Sequence, residues 1–195
     1  AADTVRKQGA GSLLLRSAAT TLAVFTFFQI LPHFPVGVSE VHFIFGSTLF
    51  LIFGAAPAAL GLTLGLLLQG LFFVPTDLPQ YGMNVTTILV PLFAIAALAE
   101  RIIPRDTAYV DLRYGQALSL SSAYQAGIIA WVAFWALYGA GFGVENLKSI
   151  ATFGMSYALV IVVEPLVDLA VLAFVKSLRG VFDGALVTPR LHHAG

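Results

Sequence analysis

Six long apolar runs, each bounded by proline, glycine or charge, constrain this chain more than any other feature of its sequence. They cover roughly Leu13–Leu31, Val41–Phe53, Ala58–Val74, Met83–Ile103, Ala117–Tyr138 and Leu147–Val175. A helix needs about 20 residues to span the hydrocarbon of a bilayer, within a range of about 17–25. The first, third, fourth and fifth runs have that length. The sixth is long enough to tilt, and Pro165 breaks it and suggests a kink. The second is short and reads as a half-buried helix sheltered by its neighbours. None shows the two-residue alternation of a membrane barrel.

Composition agrees. Only 10% of residues are charged, against about 25% in a soluble domain, so charge cannot coat the surface and lipid must take the place of water. The expected fold is an all-α integral membrane protein: one transmembrane domain over residues 1–195, a polytopic helix bundle of six transmembrane segments, with a polar cytoplasmic tail over 180–195. Net charge is zero, so nothing points to nucleic acid. Cysteine is absent, which excludes disulfides, thiolate metal sites and a cysteine nucleophile.

Basic residues orient the chain. Arg6, Lys7 and Arg16 precede or begin the first run, Arg101, Arg105 and Arg113 lie between the fourth and fifth, and Lys176, Arg179 and Arg190 follow the sixth. With six crossings all three groups fall on one side, which is then cytoplasmic, and only Lys148 falls on the other. That agreement supports counting the short run as a full crossing. The outer loops then hold most of the polar chemistry: His33, Ser39 and Glu40 in the first, Thr76, Asp77 and Gln80 in the second, Glu145 in the third. Within the membrane, Gly61 and Gly65 form a small-xxx-small pattern that allows close helix approach or offers a docking face to a partner subunit.

His42 opens the second run, Asn84 lies near the start of the fourth and Gln69 is late in the third, so all three fall at similar depth near the outer face. One imidazole with nearby amides and oxygens suits a divalent cation of borderline softness. Asn84, Ser39 or Glu40 could hold the second ring nitrogen, as metal-bound histidines require. The alternative is an interfacial histidine bonded to a loop carbonyl, since one imidazole cannot hold a metal alone. Gln69 and Gln125 are also suited to hydrogen bonds between helices. Glu164 and Asp168, four residues apart on the last run, share one helix face. Acids at that depth are functional candidates: they relay protons, pair with a basic residue of a partner, or, for Asp168, lie near the cytoplasmic interface. His192 and His193 read as solvated. No phosphate-binding glycine loop, HExxH motif or Ser/His/Asp spacing is present.

Three stretches together resemble the CbiM/NikM family, the substrate-specific membrane components of energy-coupling-factor transporters for cobalt and nickel. They are Gly37-x-Ser39-x-x-His42, the run Leu66–Phe73 around Gln69, and Tyr81-Gly82-Met83-Asn84. The resemblance covers about Pro35–Pro91 well and the later helix pattern loosely. It implies seven helices and an outer-face metal site in which an N-terminal amino group and a second histidine join the histidine matching His42. A first helix is therefore expected upstream of Ala1, giving seven segments. Val74–Gln80 lacks the Gly-Gly pair that the family carries there, and Glu40 stands close before His42. Both bear on metal identity, because carboxylates favour harder cations.

The resemblance thus implies import of Co2+ or Ni2+ as substrate, with no resident cofactor and no enzymatic activity of the chain itself. His42 would be a direct ligand and Ser39, Gln69 and Asn84 its support. A transmembrane coupling subunit and two ATPase subunits would supply the energy, in the cell inner membrane. The alternatives are an accessory or structural membrane subunit that keeps the fold without transport, and, less well supplied with residues, a membrane enzyme using Glu164 and Asp168.

Overall fold

A computed structural model of the chain describes residues 2–178 and 186–193. Helix α1 (Ala2–Gln8) leads into α2 (Ala10–Ile30). A hairpin of β1 (Phe34–Val36) and β2 (Ser39–Val41) follows, then the short α3 (Gly46–Phe53) and α4 (Ala55–Phe72). A 3-10 turn, Pro75–Gln80, precedes α5 (Tyr81–Ile102), and α6 (Tyr114–Ala140) and α7 (Val144–Ser177) complete the bundle. Among the described residues, five helices are long and apolar enough to cross a membrane: α2, α4, α5 with its preceding turn, α6 and α7.

The punctuation in the sequence acts where sterics says it should. Leu31 before Pro32 and Ile103 before Pro104 both turn extended and end α2 and α5, because proline crowds the α conformation of its predecessor. Gly141 ends α6 with a φ of 69°. Pro165 does not break the last helix as expected: α7 runs through it for 34 residues. Membrane helices tolerate such a proline where neighbouring groups re-satisfy the freed carbonyl. Leu22, Phe72, Leu159, Val162 and Phe174 stand outward and exposed, as a lipid solvent permits.

The tightest seam lies between α2 and α4. A Cβ on Gly61 would sit 2.4 Å from the Thr20 side chain, and one on Gly65 2.6 Å from that of Val24. Both contact pairs advance in the same direction along the two helices, so α2 and α4 run parallel. The residues between them must therefore return the chain from one end of the bundle to the other. They do so with the irregular residues 42–45 and then α3, whose first six residues, Gly46–Leu51, are all buried.

This corrects the expectation of a helix over 41–53. Val41 belongs to β2, and the helix starts only at Gly46. Two local features fix the break. Phe45 takes a left-handed conformation at φ 54°, uncommon for a bulky residue. Gly46 lies under the Tyr124 ring, where any Cβ would be 2.1 Å from its Cζ.

The two ends of the bundle differ in charge. Lys7, Arg101, Arg105 and Arg190 surround one depression together with Glu100, and Lys176 pairs with Asp111 at 2.6 Å. Arg16, counted above among the interfacial basic residues, is instead buried. Its Nη1 donates to the carbonyl of Phe53 at 2.9 Å and its Nε to that of Ser12 at 3.3 Å, and its other nitrogen bonds Gln8. The expected tail also folds back in part: the amide of Thr188 donates to the Ile52 carbonyl at 2.8 Å, and Leu191 is buried. His193 is exposed, but both ring nitrogens of His192 are buried without a partner. Arg179 and the remaining tail residues, 180–185 and 194–195, lie outside the described residues. The opposite end carries the hairpin and the 3-10 turn.

Candidate metal-binding site

A cavity of about 300 Å³ opens at the hairpin end, and His42, Ser39, Gln69 and Asn84 all line it. Each arrives from a different piece of backbone. Ser39 is the first residue of β2, opposite Val36. His42 follows β2 directly, Gln69 lies one turn from the end of α4, and Asn84 is in the first turn of α5.

The hairpin is pinned from both sides. Its two-residue turn, Gly37-Val38, has Gly37 at φ 61°, the glycine-first turn that suits strand twist. A Cβ there would lie 2.2 Å from the carbonyl oxygen of Ser149, so the missing side chain lets the turn rest on α7. Across the cavity, Gly70 lets Leu78 of the 3-10 turn sit down on α4: a Cβ would meet the leucine Cδ2 at 2.9 Å.

The half-buried ring of His42 stands edge-on to Phe28, with centroids 4.9 Å apart. Among the described residues neither ring nitrogen has a hydrogen-bond partner, so at least one lone pair is available to a ligand. The backbone carbonyl of His42 accepts from the Tyr157 hydroxyl at 3.3 Å. Gln69 donates its Nε2 to the Phe28 carbonyl at 3.3 Å, which holds the amide and leaves its oxygen free of such bonds among the described residues. His33, Glu40, Asp77 and Gln80 also line the cavity. Among the described residues no group of three or more His, Asp or Glu is gathered closely enough to hold a metal.

Glu164 and Asp168 lie elsewhere. Both are fully buried, on the stripe of α7 that also carries Phe153, Tyr157, Val160 and Leu172, and neither lines the cavity. Oε1 of Glu164 accepts from the amides of Ile44 and Phe45, each at 3.1 Å, and its other oxygen accepts from Gln125. Asp168 accepts from Ser47 Oγ at 2.7 Å and from the Thr48 hydroxyl. All four carboxylate oxygens are thus engaged, and all but the Gln125 bond go to the irregular passage and the first turn of α3. Unpaired backbone amides cost several kcal/mol in an apolar interior, and carboxylates suit the positive end of a helix. Spacing places both acids on one face. It gives no sign that this face meets residues some 120 positions away.

The sequence places Asp77 and Gln80 in an outer loop without joining them to the site, and nothing in it marks Tyr157, although all three line the cavity. The 3-10 turn that carries Asp77 and Gln80 reads in sequence as a loop, although Pro75 and Pro79 are a usable signal for a tight turn.

A helical bundle with five membrane-length apolar helices and outward-facing apolar side chains is a multi-pass membrane protein. The chain belongs to the CbiM family, described as the cobalt uptake substrate-specific transmembrane region, whose family model matches residues 1–181. It is therefore a membrane component of cobalt uptake, a transporter part and not an enzyme. No curated protein and no solved structure matches it.

Proposed function

We propose that this chain captures Co2+ or Ni2+ at the outer face of the cell inner membrane, as the substrate-binding component of an energy-coupling-factor importer. His42 is a direct ligand, and Ser39, Gln69 and Asn84 position it and the ion. A transmembrane coupling subunit and two ATPase subunits drive the cycle. The C-terminal end, with its basic residues, faces the cytoplasm.

What supports this reading is the convergence of His42, Ser39, Gln69 and Asn84, four residues spread over 46 positions, on one cavity. An imidazole with amide oxygens suits a borderline divalent cation, whereas a site for Mg2+ or Ca2+ would be built of oxygens alone. Glu40 and Asp77 at the same cavity add negative charge that draws a cation in.

The test is cobalt titration of the protein in lipid nanodiscs, by calorimetry, for the wild type and for His42→Ala. The wild type should bind and the variant should lose roughly 100-fold or more, beyond what loss of a supporting residue costs. Undiminished binding by His42→Ala would remove the ligand on which the reading turns. Nickel in a parallel titration ranks the two ions.

A further inference from the structure

The passage that carries His42 has no regular backbone pairing of its own, and α7 grips it at successive points. The hydroxyl of Tyr157 holds the carbonyl of His42. Seven residues along, Glu164 holds the amides of Ile44 and Phe45. Tyr157 and Glu164 both lie on the buried stripe of α7, so two turns of one helix span the four residues 42–45. His42, Ile44 and Tyr157 also line the cavity itself. A backbone held in this way fixes the Cα–Cβ direction of His42, and with it the place of the imidazole.

We propose that Tyr157 and Glu164 are positioning residues for His42: they fix residues 42–45 against α7 and thereby set where the imidazole enters the cavity. The proposal rests on the reading of His42 as a cobalt ligand only for its consequence in binding, since the positioning itself requires no metal. It gives a buried membrane acid a role that uses one carboxylate oxygen, the other being held by Gln125, without any change of charge. Because loss of a group that orients a ligand costs roughly 10- to 100-fold in metal affinity, each residue should matter to cobalt capture without touching the ion.

The experiment follows the imidazole resonances of the full chain in nanodiscs, with isotope-labelled histidine and no metal added. The chain has four histidines, and the His42 line is identified by its loss in His42→Ala. Tyr157→Phe removes one hydroxyl and nothing else, and Glu164→Ala leaves two amides unpaired. Both should shift or broaden the His42 line while that of His33 stays in place. Glu164→Gln keeps an oxygen acceptor for the two amides and should restore the line. Cobalt titration of the same proteins should show affinity reduced roughly 10- to 100-fold in the first two variants. A His42 line unmoved in Tyr157→Phe and Glu164→Ala overturns the proposal, and so does a movement of all histidine lines together, which marks general loosening. If Glu164→Ala fails to fold, Tyr157→Phe decides alone. A wild type that binds no cobalt refutes the capture reading, while the metal-free His42 line still decides the positioning.

Discussion

Arg16 and Glu164 hold opposite ends of one eight-residue helix. The guanidinium bonds the Phe53 carbonyl at the last residue of α3, and the carboxylate bonds the amides of Ile44 and Phe45 just ahead of its first turn. A helix this short cannot span a bilayer and is unstable alone. Its exposed end groups would be orphans in an apolar interior. A cation at the carbonyl end and carboxylates at the amide end both satisfy those groups and oppose the helix dipole.

Arg16→Ala should therefore destabilise the fold by about 2–3 kcal/mol, the range for losing charge-assisted hydrogen bonds to a buried acceptor. Arg101→Ala, at an exposed position, should stay within about 0.5 kcal/mol of the wild type. Thermal unfolding in a mild detergent compares the two, and equal midpoints would remove Arg16 from the support of α3.

The seam between α2 and α4 gives a second expectation. Gly61→Leu forces a side chain into a space where Cβ alone would meet the Thr20 backbone carbon at 2.8 Å. Overpacking of this kind costs about 1–3 kcal/mol or more. Gly115→Ala, with nothing within 4 Å of its Cβ, is the matched control in the same unfolding measurement.

Gly37→Ala attacks the cavity from the hairpin. The new Cβ collides with the Ser149 carbonyl, and the residue must keep φ 61°, a conformation that costs an L-residue about 1–2 kcal/mol. The hairpin should lift from α7 and carry Ser39 and Glu40 with it. The expected outcome is faster proteolysis between residues 33 and 41 and weaker cobalt binding, with the helix content of the circular dichroism spectrum unchanged. A hairpin as resistant as the wild type would show that its seat on α7 is not needed.

Sidedness can be read directly, because the chain has no cysteine of its own. Cysteines introduced singly at Glu145 and at Arg105 should react with an impermeant maleimide from opposite faces of the membrane, the first from outside. Both sites are exposed. Labelling of both from one face would contradict the crossing of α6, which lies between them.

Much of this was legible in the sequence, and the reason is local. Pro32 and Pro104 stop helices through clashes with the residue just before them, so α2 and α5 end where the sequence says. His42, Gln69 and Asn84 lie at one end of the bundle because each sits near the corresponding end of an apolar run, and all three line the cavity. The β-hairpin, the left-handed Phe45 and the late start of α3 were not legible. Each depends on a residue far along the chain: Gly37 on Ser149, Gly46 on Tyr124, and the amides of Ile44 and Phe45 on Glu164. Likewise nothing local marks Arg16 as a buried helix-end partner, since Phe53 is 37 positions away.

The parallel course of α2 and α4 has a consequence for how the protein is made. During synthesis the ribosome delivers residues 42–53 long before α7, yet the acids that satisfy their amides and hydroxyls arrive about 120 residues later. Until then this passage offers the bilayer an incomplete helix with unpaired polar groups, which lipid does not accept. Its threading must wait for the last helix, and α4 cannot take its final direction before that passage is in place. The cavity is thus completed from the C-terminal side, and a chain truncated ahead of Glu164 would retain every cavity-lining residue yet lack the carboxylates that fix residues 44–48 against α7.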